Sequence, residues 1–406
     1  MSLEIAVGRP TAVDGTTEET TGMTPTVAAA ESALSRRFGA PVRLGDPEDL
    51  GGSGRAVVIR VRVVENPFSL PRSLVIKHYQ GPAPEAAADP FAHEAASCQL
   101  LTALPSETWV GPELVGQDAS ERLVILEDLG RAPTLTDRLE GSDTRAAETA
   151  LLAWARGLGR LHASTAGREA DFDTLVRRLG GLEPARPAAV EDSERMLAEL
   201  PTLLAETVGV DTPDAVLAEL GEEVRLFARG RYRAFSPSEI CPDNSVVTSS
   251  GVRFLDFEGG CMRDIALDAV NLSVPFASCW CGSAIPARMS QAMLAAWRSE
   301  VSAVWPELDD DAVLMPWLLR AQLLWAWLTT WKLLGIANER SADVPAANDH
   351  GDPILRYLTL LTQWERLAGD ERLSPTMREH ADQVAEGIRA HFGLKTQQLP
   401  TYPAFR

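Results

Sequence analysis

The sequence predicts an α+β protein with two lobes: a small antiparallel β-sheet lobe, followed by a larger and mostly helical lobe. Three observations predict this division. Short β-type runs dominate between Val42 and Glu127, helix-compatible apolar spacing dominates after Gly130, and one β-hairpin interrupts the helical part. We therefore place the boundary between the lobes near Glu127 to Gly130.

The first lobe is expected to follow a disordered segment. Residues 1–27 are rich in Thr and Gly and poor in large apolar side chains, a composition that does not support a packed core. The N-lobe itself is predicted over residues 28–130. Its expected elements are a helix at Ala28–Phe38, strands at Ala56–Val64, Ser73–Lys77 and Leu123–Glu127, and a helix at Phe91–Leu104.

The second lobe is predicted over residues 131–393, with a C-terminal tail at residues 394–406. Its expected helices are Ala146–Ala163, Ser193–Thr207, Thr212–Arg229, Ala287–Val304, Val313–Leu334 and Met377–Phe392. The hairpin is predicted from two β-type runs, Ser245–Thr248 and Val252–Leu255, that flank a Ser-Ser-Gly turn. The tryptophans of the helix at Val313–Leu334 mostly share one helix face, which indicates core packing.

The formal net charge of −19 disfavours two classes of partner. An acidic surface repels the phosphates of nucleic acids and the head groups of anionic membranes, so we expect neither as a partner. The same charge would favour a cationic small molecule such as an amino sugar. The alternative is that the acidic surface only keeps the protein soluble.

The cysteines and the N-terminus bear on the compartment. The segment Met1 to Gly22 contains no apolar core of a signal peptide, and the five cysteines are few and odd in number. We therefore expect a reducing, cytoplasmic location rather than a disulfide scaffold. The pair Cys279 and Cys281 has one intervening residue and no nearby His, so two buried thiols are expected there rather than a metal site.

Two features of the N-lobe have the residue types that hold phosphate groups. The Gly51-Gly52-Ser53-Gly54 segment lies between β-type runs, and its glycines would let backbone N–H groups approach a phosphate closely. Lys77 ends an apolar strand, and Glu94 follows in a helix, where its carboxylate could orient the Lys77 ammonium toward phosphate oxygens. The alternatives are an ordinary Gly-rich turn and two solvated charges.

Asn244 and Asp256 form the most specific pattern in the chain. They flank the short predicted hairpin, so their oxygen-bearing side chains are expected to converge at its open end. Oxygen ligands of this kind suit Mg²⁺, which keeps several waters and also takes phosphate oxygens. The alternative is an Asn in a turn and an Asp that caps a loop.

These motifs together resemble the aminoglycoside phosphotransferase and choline kinase family, whose members have a protein kinase-like fold. The stretch Glu239 to Asn244 resembles the family's catalytic loop, which normally reads His-Gly-Asp followed by four residues and Asn. Asp256-Phe257-Glu258 is similar to the family's Asp-Phe-Glu. The likeness also includes Leu158-Gly159-Arg160-Leu161-His162 before the loop and Arg263-Asp264 with Asp268 after it, and it spans roughly Val42 to Asn271.

The resemblance implies a role for each matching position. Lys77 would bind the α- and β-phosphates of ATP and pair with Glu94, and the backbone from Glu127 through Leu129 to Gly130 would contact adenine. Further implied roles are catalytic base for Glu239, Mg²⁺ ligands for Asn244 and Asp256, phosphate cradle for Gly51, Gly52, Ser53 and Gly54, and acceptor contacts for Glu258, Asp264 and Asp268.

The resemblance therefore implies transfer of the ATP γ-phosphate, with Mg²⁺, to a hydroxyl group of a small molecule, for which a cation of the aminoglycoside or amino alcohol kind is one candidate. Pro237-Ser238-Glu239 stands where the family has His-Gly-Asp, and the extra methylene of Glu moves the carboxylate by about 1.5 Å. Two alternatives stay open because of this difference. One is a pseudokinase that binds nucleotide and acts through partners, and the other is a kinase of a peptide Ser or Thr.

Overall fold

The computed structural model describes residues 19–52, 56–65, 70–84, 88–181, 188–224, 229–274, 276, 279, 282–340, 353–394 and 396–406. The chain forms two compact units. The first comprises Met1–Pro82 and Leu114–Asp128, and the second comprises Ala83–Glu113 and Leu129–Arg406. The predicted order, a small antiparallel β unit and a larger helical one, is confirmed.

The first unit is built on an antiparallel sheet that has five strands within the described residues, in the order β1-β2-β3-β5-β4. The strands are β1 Arg43–Asp49, β2 Ala56–Glu65, β3 Ser73–Tyr79, β4 Leu114–Asp118 and β5 Leu123–Glu127. The predicted strands correspond to β2, β3 and β5. The sequence of β4, Leu-Val-Gly-Gln-Asp, has little strand signal of its own, and it pairs because β5 offers it an edge.

One face of this sheet packs against helix α1, Glu19–Phe38. Ile59, Ile76 and Ile125 lie opposite one another across three strands and are fully buried with apolar side chains of α1. Helix α1 begins at Glu19 rather than at Ala28, because Met23 and Val27 extend the same apolar contact. Residues 19–27, expected to be disordered, are therefore helical, and residues 1–18 lie outside the described part of the chain.

Lys77 lies on the other face of the sheet. It is paired with Val58 on β2 and with Val124 on β5, one residue out of phase with the isoleucine row that faces α1. Side chains alternate between the two faces of a strand, so the Lys77 side chain is on the face that α1 does not cover. Lys77 therefore extends from the middle strand of the sheet, on the face opposite to α1.

The second unit is mostly helical, as predicted. Its longer helices are α2 Pro90–Thr102, α3 Leu135–Glu140, α4 Thr144–Thr165, α5 Glu169–Arg178, α6 Ala188–Leu203, α7 Asp214–Glu223, α9 Ala287–Val301, α10 Asp311–Arg340, α11 Pro353–Ala368 and α12 Pro375–His391. A short helix α8, Ala266–Ala269, follows strand β9, Cys261–Asp264. No helix in the described part of the chain combines the length and apolar character needed to cross a membrane.

Helix α2 belongs to the second unit, although the sequence analysis placed it in the N-lobe. The physical reason is its close contact with Gly260. His93 Nδ1 lies 2.7 Å from the Gly260 carbonyl oxygen, and a Cβ at position 260 would come within 2.3 Å of Ser97 Oγ. Only glycine permits this approach, which joins α2 to the segment that follows Asp256.

The tryptophan-rich helix α10 contributes to the core of the second unit. Trp327 is fully buried, and the Trp364 and His380 rings pack against it at centroid distances of 5.9 and 5.5 Å. Both ring nitrogens of His380 lack a hydrogen-bond partner within the described residues. Burial lowers the pKa of His380 to about 4. The folded protein therefore strongly prefers the neutral imidazole.

We expect His380 to weaken the fold in mild acid. Its pKa is lower in the folded protein than its ordinary value of 6.5, so its contribution to stability is complete above about pH 6.5 and is lost as the pH falls toward about 4. Thermal unfolding of the wild type and of His380→Phe at about pH 7 and about pH 5 tests this. The wild-type Tm should drop more than that of the variant, and equal drops would contradict the assignment.

Candidate active site

Asn244 and Asp256 are brought to one end of a hairpin, as the sequence predicts. Strands β7, Ser245–Thr248, and β8, Gly251–Phe254, pair antiparallel from Ser245 opposite Phe254 to the turn. The Leu255 N–H donates to the Asn244 carbonyl oxygen at 2.8 Å and extends the ladder by one step. Asn244 and Asp256 therefore leave the two strands at the same open end, where both are half-buried.

Glu239 lies on the loop that leads into this hairpin. The loop leaves strand β6, Arg233–Ser236, which pairs with β9, and it re-enters regular structure in a 3₁₀ turn, Pro242–Asn244. Glu239 is exposed, and its carbonyl oxygen accepts a long hydrogen bond of 3.5 Å from Asn244 Nδ2. The loop thus places the proposed base and the proposed ligand Asn244 next to each other.

A buried ion pair lies beneath this loop. The Asp268 carboxylate accepts a hydrogen bond from the Arg263 guanidinium and another, of 2.9 Å, from Ser236 Oγ. The Arg263 and Asp268 side chains are almost completely buried. Burial alone would raise the pKa of Asp268, but Arg263 and a hydrogen bond from His162 outweigh it and hold the pKa below its usual value.

The hydrogen-bond partners of His162 fix its tautomer. Trp297 Nε1–H donates to His162 Nδ1 at 3.1 Å, and an indole N–H can only donate. Nδ1 is therefore unprotonated, and the proton is on Nε2, which lies 3.1 Å from Asp268 Oδ2 and donates to it. The imidazole is neutral in this arrangement, so Arg263 is the cation that balances Asp268.

The ion pair holds the backbone of Ser238, the residue before Glu239. The Ser238 N–H donates to Ser236 Oγ at 2.9 Å, and the Ser238 carbonyl oxygen accepts from Arg263 at 3.2 Å. Ser238 has a φ of 71°, a left-handed conformation that a side chain disfavours. The family pattern has glycine at this position. The two hydrogen bonds offset the unfavourable left-handed backbone of Ser238.

The three residues expected to contact an acceptor differ in exposure. Glu258 is half-buried, whereas Asp264 and Asp268 are fully buried. Asp264 accepts from the Ala266 N–H at 3.0 Å, and burial raises its pKa to about 6. Neither Asp264 nor Asp268 is therefore accessible to an acceptor. Asp268 supports the loop through Arg263 and Ser236, and Asp264 binds the start of α8.

The nucleotide-binding candidates in the first unit lie on its sheet. Gly51 and Gly52 follow β1, and Gly51 has a φ of 82° with its N–H bound to Asp49 Oδ1 at 2.9 Å. Ser53 and Gly54 lie outside the described residues. Lys77 is largely buried, with its ammonium 5.3 Å from the centroid of the Tyr79 ring.

The other nucleotide-binding candidates are divided between the two units. Glu127 ends β5 opposite Leu74 in the first unit, and Leu129 is half-buried at the start of a second-unit segment. Glu94 is buried in α2 of the second unit. Lys77 is in the first unit, so the ion pair between Lys77 and Glu94 stays a prediction, as does adenine binding by Glu127 and Leu129.

Cys241 and Cys279 form a disulfide, which corrects the expectation of buried thiols. Cys241 is two residues after Glu239, and Cys279 is 38 residues further along the chain. Cys98 and Cys261 are buried thiols, and burial raises the pKa of Cys261 to about 11. Cys281 lies outside the described residues. The disulfide ties the loop that carries Glu239 to the segment after α8.

A small cavity of about 20 Å³ lies beside this loop. Ser238, Ile240 and Cys241 line it, together with residues from the segment after α8, from α10 and from α11. Gln363 of α11, which the sequence does not single out, is buried and lines this cavity.

The donors at the open end of the hairpin fit Mg²⁺. Asn244 offers an amide oxygen and Asp256 a carboxylate, and Mg²⁺ binds through one or two such side chains when phosphates and waters complete its shell. Within the described residues, no cluster of three or more His, Cys, Asp or Glu side chains is arranged to hold a metal.

Comparisons with known proteins find no matching family model and no matching curated protein. Several solved structures are similar. A choline kinase from Streptococcus pneumoniae is 15% identical, with 84% of this chain and 98% of that chain covered and a TM-score of 0.47. A choline/ethanolamine kinase family protein from Mesorhizobium loti is 18% identical over 84% and 93%, with a TM-score of 0.42. A choline kinase from Cryptosporidium parvum is 12% identical over 92% and 96%, with a TM-score of 0.44.

We expect the loss of either partner of the Arg263–Asp268 pair to destabilise the folded protein. Removal of one partner leaves the other charge buried and uncompensated, which costs about 3–5 kcal/mol. Arg263→Ala and Asp268→Ala should each destabilise by that amount in urea unfolding, and the double variant should cost less than their sum. The control is Arg168→Ala, which breaks an exposed ion pair with Asp171 and should cost about 1 kcal/mol or less. Additive costs for the double variant would contradict strong coupling.

We also expect the Cys241–Cys279 disulfide to stabilise the folded protein. A cross-link across a segment of 38 residues restricts the unfolded chain by on the order of 4 kcal/mol. Addition of dithiothreitol should therefore lower the Tm of the wild type. The Cys279→Ser variant should melt at the lower temperature and should not respond to the reductant. A wild type that is insensitive to reduction would contradict this prediction.

Proposed function

We propose that the protein is an ATP- and Mg²⁺-dependent phosphotransferase that phosphorylates a hydroxyl group of a small molecule. The hairpin carries this proposal, because it brings Asn244 and Asp256 to one end, next to the loop of Glu239. The motif set that resembles the aminoglycoside phosphotransferase and choline kinase family supports the same conclusion. Phosphoryl transfer needs positioned charges more than covalent chemistry by the enzyme, and this arrangement supplies them.

Glu239 is the proposed proton acceptor. The oxygen of the acceptor hydroxyl attacks the γ-phosphorus of ATP, its proton passes to the Glu239 carboxylate, and the bond from phosphorus to the bridging oxygen of ADP breaks. The products are ADP and a phosphate monoester, and Glu239 returns the proton to water. The exposure of Glu239 is consistent with this exchange.

Arg263 supports Glu239 electrostatically. Burial opposes the charged form of Arg263, but Asp268 and, more weakly, Glu239 raise its pKa. The attraction is mutual, so the guanidinium also stabilises the negative charge of Glu239. Arg263 is therefore a positioning residue that acts through the loop, and Glu239 is the group that meets the acceptor.

The remaining roles concern ATP. Bound Mg²⁺ would neutralise charge on the phosphates, and Asn244 and Asp256 are the residues that would hold it. Lys77 is proposed to bind phosphate oxygens from the centre of the sheet, and the backbone of Gly51 and Gly52 to contact phosphate. Glu94 is proposed to pair with Lys77. The backbone from Glu127 to Leu129 is proposed to bind adenine.

The second candidate function is a pseudokinase that binds nucleotide and acts through partners. The observation that favours it is Glu239 itself, because its longer side chain moves the carboxylate by about 1.5 Å from where Asp would place it. A shift of about 1 Å in a reacting group can cost on the order of a hundredfold in rate. A kinase of a peptide Ser or Thr is a variant of the first proposal with a different acceptor.

We expect ATP to raise the Tm of the wild type more strongly with Mg²⁺ than without it, because ligand binding to the folded state stabilises it. Asp256→Asn should remove the Mg²⁺-dependent part of this shift. It should also lower ADP release at least about 100-fold, because it removes a charge that balances the phosphates. Asp382→Asn, at an exposed position of α12, is the matched control and should behave as the wild type does.

Three further outcomes are informative. Turnover that survives Asp256→Asn would show that the metal assignment is wrong. A large gain of turnover in Glu239→Asp from a wild type near zero would instead favour the pseudokinase. A wild type whose Tm responds to neither ATP nor Mg²⁺ would contradict nucleotide binding altogether.

A further inference from the structure

The face of the sheet opposite to α1 places an arginine and a lysine beside an apolar surface. In the register of β2 and β3, Val58 lies opposite Lys77, and Arg60 lies opposite Val75. Arg60 and Lys77 are therefore diagonal neighbours, with Cα atoms about 7–8 Å apart, and the two valines occupy the other two corners. Both valines are half-buried. A flat ring can pack on this apolar surface.

Two carboxylates on opposite sides of β2 hold the Arg60 guanidinium. Arg60 Nε donates to Asp128 Oδ2 at 2.9 Å, and Arg60 Nη1 donates to Glu48 Oε2 at 3.1 Å. Glu48 lies on β1, whereas Asp128 follows β5. The Arg60 and Asp128 side chains are only 17% and 6% exposed. Hydrogen bonds between ionised groups are stronger than neutral ones, and partial burial protects this pair from screening by salt.

The contact between Arg60 and Asp128 reaches across β3. Strand β3 lies between β2 and β5, and neighbouring strands are about 4.8 Å apart, so the ion pair joins chains separated by roughly 10 Å. The register of β5 with β3 ends at Glu127, opposite Leu74. Asp128 is the next residue along the chain. Its carboxylate therefore ties the segment that leaves the sheet to β2.

The segment that Asp128 ties to β2 is the one proposed to bind adenine. Glu127 precedes Asp128 in the chain, and Leu129 follows it. A backbone that is already fixed in the free protein loses little conformational entropy when a ligand binds, so the ligand binds more tightly. The ion pair with Arg60 fixes the backbone in this way.

The charges around Arg60 disfavour a direct contact between its guanidinium and a phosphate. Two carboxylates, those of Asp128 and Glu48, bind this one cation, so the three side chains together carry a negative charge. A phosphate brought to Arg60 would be repelled by both carboxylates. The hydrogen bond to Asp128 is the main reason why the pKa of Arg60 lies above its ordinary value. The chemistry of Arg60 therefore fits a role at the base of a nucleotide, away from its phosphates.

We propose that Arg60 is a positioning residue for the base of the nucleotide. Arg60 holds Asp128 and, through it, the backbone that contacts adenine. The base packs on Val58 and Val75, and the phosphates lie toward Lys77. This inference rests on the proposed phosphotransferase function, and it adds to that function a residue that determines how tightly the base is bound.

The first test separates the base from the phosphates. Isothermal titration calorimetry measures the binding of adenosine, and of inorganic tripolyphosphate with Mg²⁺, to the full chain. Arg60→Met should raise the Kd for adenosine about tenfold, the effect of ordering about one residue of backbone on binding, and should leave the Kd for tripolyphosphate unchanged. Lys77→Met should have the opposite pattern. Weaker tripolyphosphate binding by Arg60→Met, with adenosine binding unchanged, would overturn the inference.

Arg62→Met is the matched control for Arg60→Met. Arg62 lies two residues further along β2, and its exposed ion pair joins it to Asp46. Loss of this ion pair leaves the contact between Arg60 and Asp128 in place, so Arg62→Met should bind adenosine as the wild type does. Equal Kd values for adenosine in the two arginine variants would overturn the inference.

Variants of the two carboxylates test which partner of Arg60 matters. Asp128→Asn should weaken adenosine binding as Arg60→Met does, and the double variant should bind no more weakly than either single variant, because the two residues act as one unit. Glu48→Gln leaves the contact between Arg60 and Asp128 in place and should bind adenosine as the wild type does. Additive losses in the double variant would contradict the route through Asp128.

Stability and turnover separate positioning of the base from a structural role. A lower Tm of Arg60→Met without nucleotide, together with an unchanged Kd for adenosine, would show a structural role only and would overturn the proposal. In ADP release, Arg60→Met should raise the KM for ATP about tenfold with little change in kcat, because contacts with the base are equal in the ground state and the transition state. Arg60→Lys keeps the charge but not the planar guanidinium, so its KM should be intermediate.

The binding of MgATP keeps the two proposals distinguishable. If the wild type and Arg60→Met bind MgATP equally well, the role of Arg60 is wrong and the phosphotransferase function remains supported. If the wild type binds neither MgATP nor adenosine, the proposed function itself is contradicted, and the role of Arg60 is contradicted with it.

Discussion

The ion pair between Arg263 and Asp268 is the interaction on which the rest of the site depends. Two buried charges are unfavourable unless they are paired and hydrogen-bonded, and here both conditions are met. The Asp268 carboxylate accepts hydrogen bonds from side chains of β6, β9 and α4. All three hydrogen bonds form only when the three elements pack in one arrangement. Because the Glu239 loop leaves one of those elements, the ion pair specifies where that loop begins. A buried ion pair contributes little net stability by comparison with an apolar core, and its main effect here is on geometry.

This constraint explains how the chain supports the left-handed backbone at Ser238. The left-handed backbone at Ser238 costs about 1–2 kcal/mol for a residue with a side chain. The Ser238 N–H donates to Ser236 Oγ, and the Ser238 carbonyl oxygen accepts from Arg263. Each hydrogen bond contributes about 1 kcal/mol, so together they offset the cost of the left-handed conformation. The loop conformation that glycine would adopt freely is thus retained by its neighbours. The path of the backbone that leads to Glu239 is therefore supported on both sides of Ser238.

Local features of the site could be predicted from the sequence, whereas features that join distant segments could not. The hairpin between Asn244 and Asp256 follows from alternation of side chains and a polar turn within a dozen residues, so its signal is local. The Asp268–His162 contact spans 106 residues, and the pairing of Cys241 with Cys279 depends on where the segment after α8 packs. The start of α1 at Glu19 has a similar origin, because Met23 and Val27 become helical through contact with the sheet. The composition of residues 19–27 predicts disorder, but the packing of these residues against the sheet stabilises a helix.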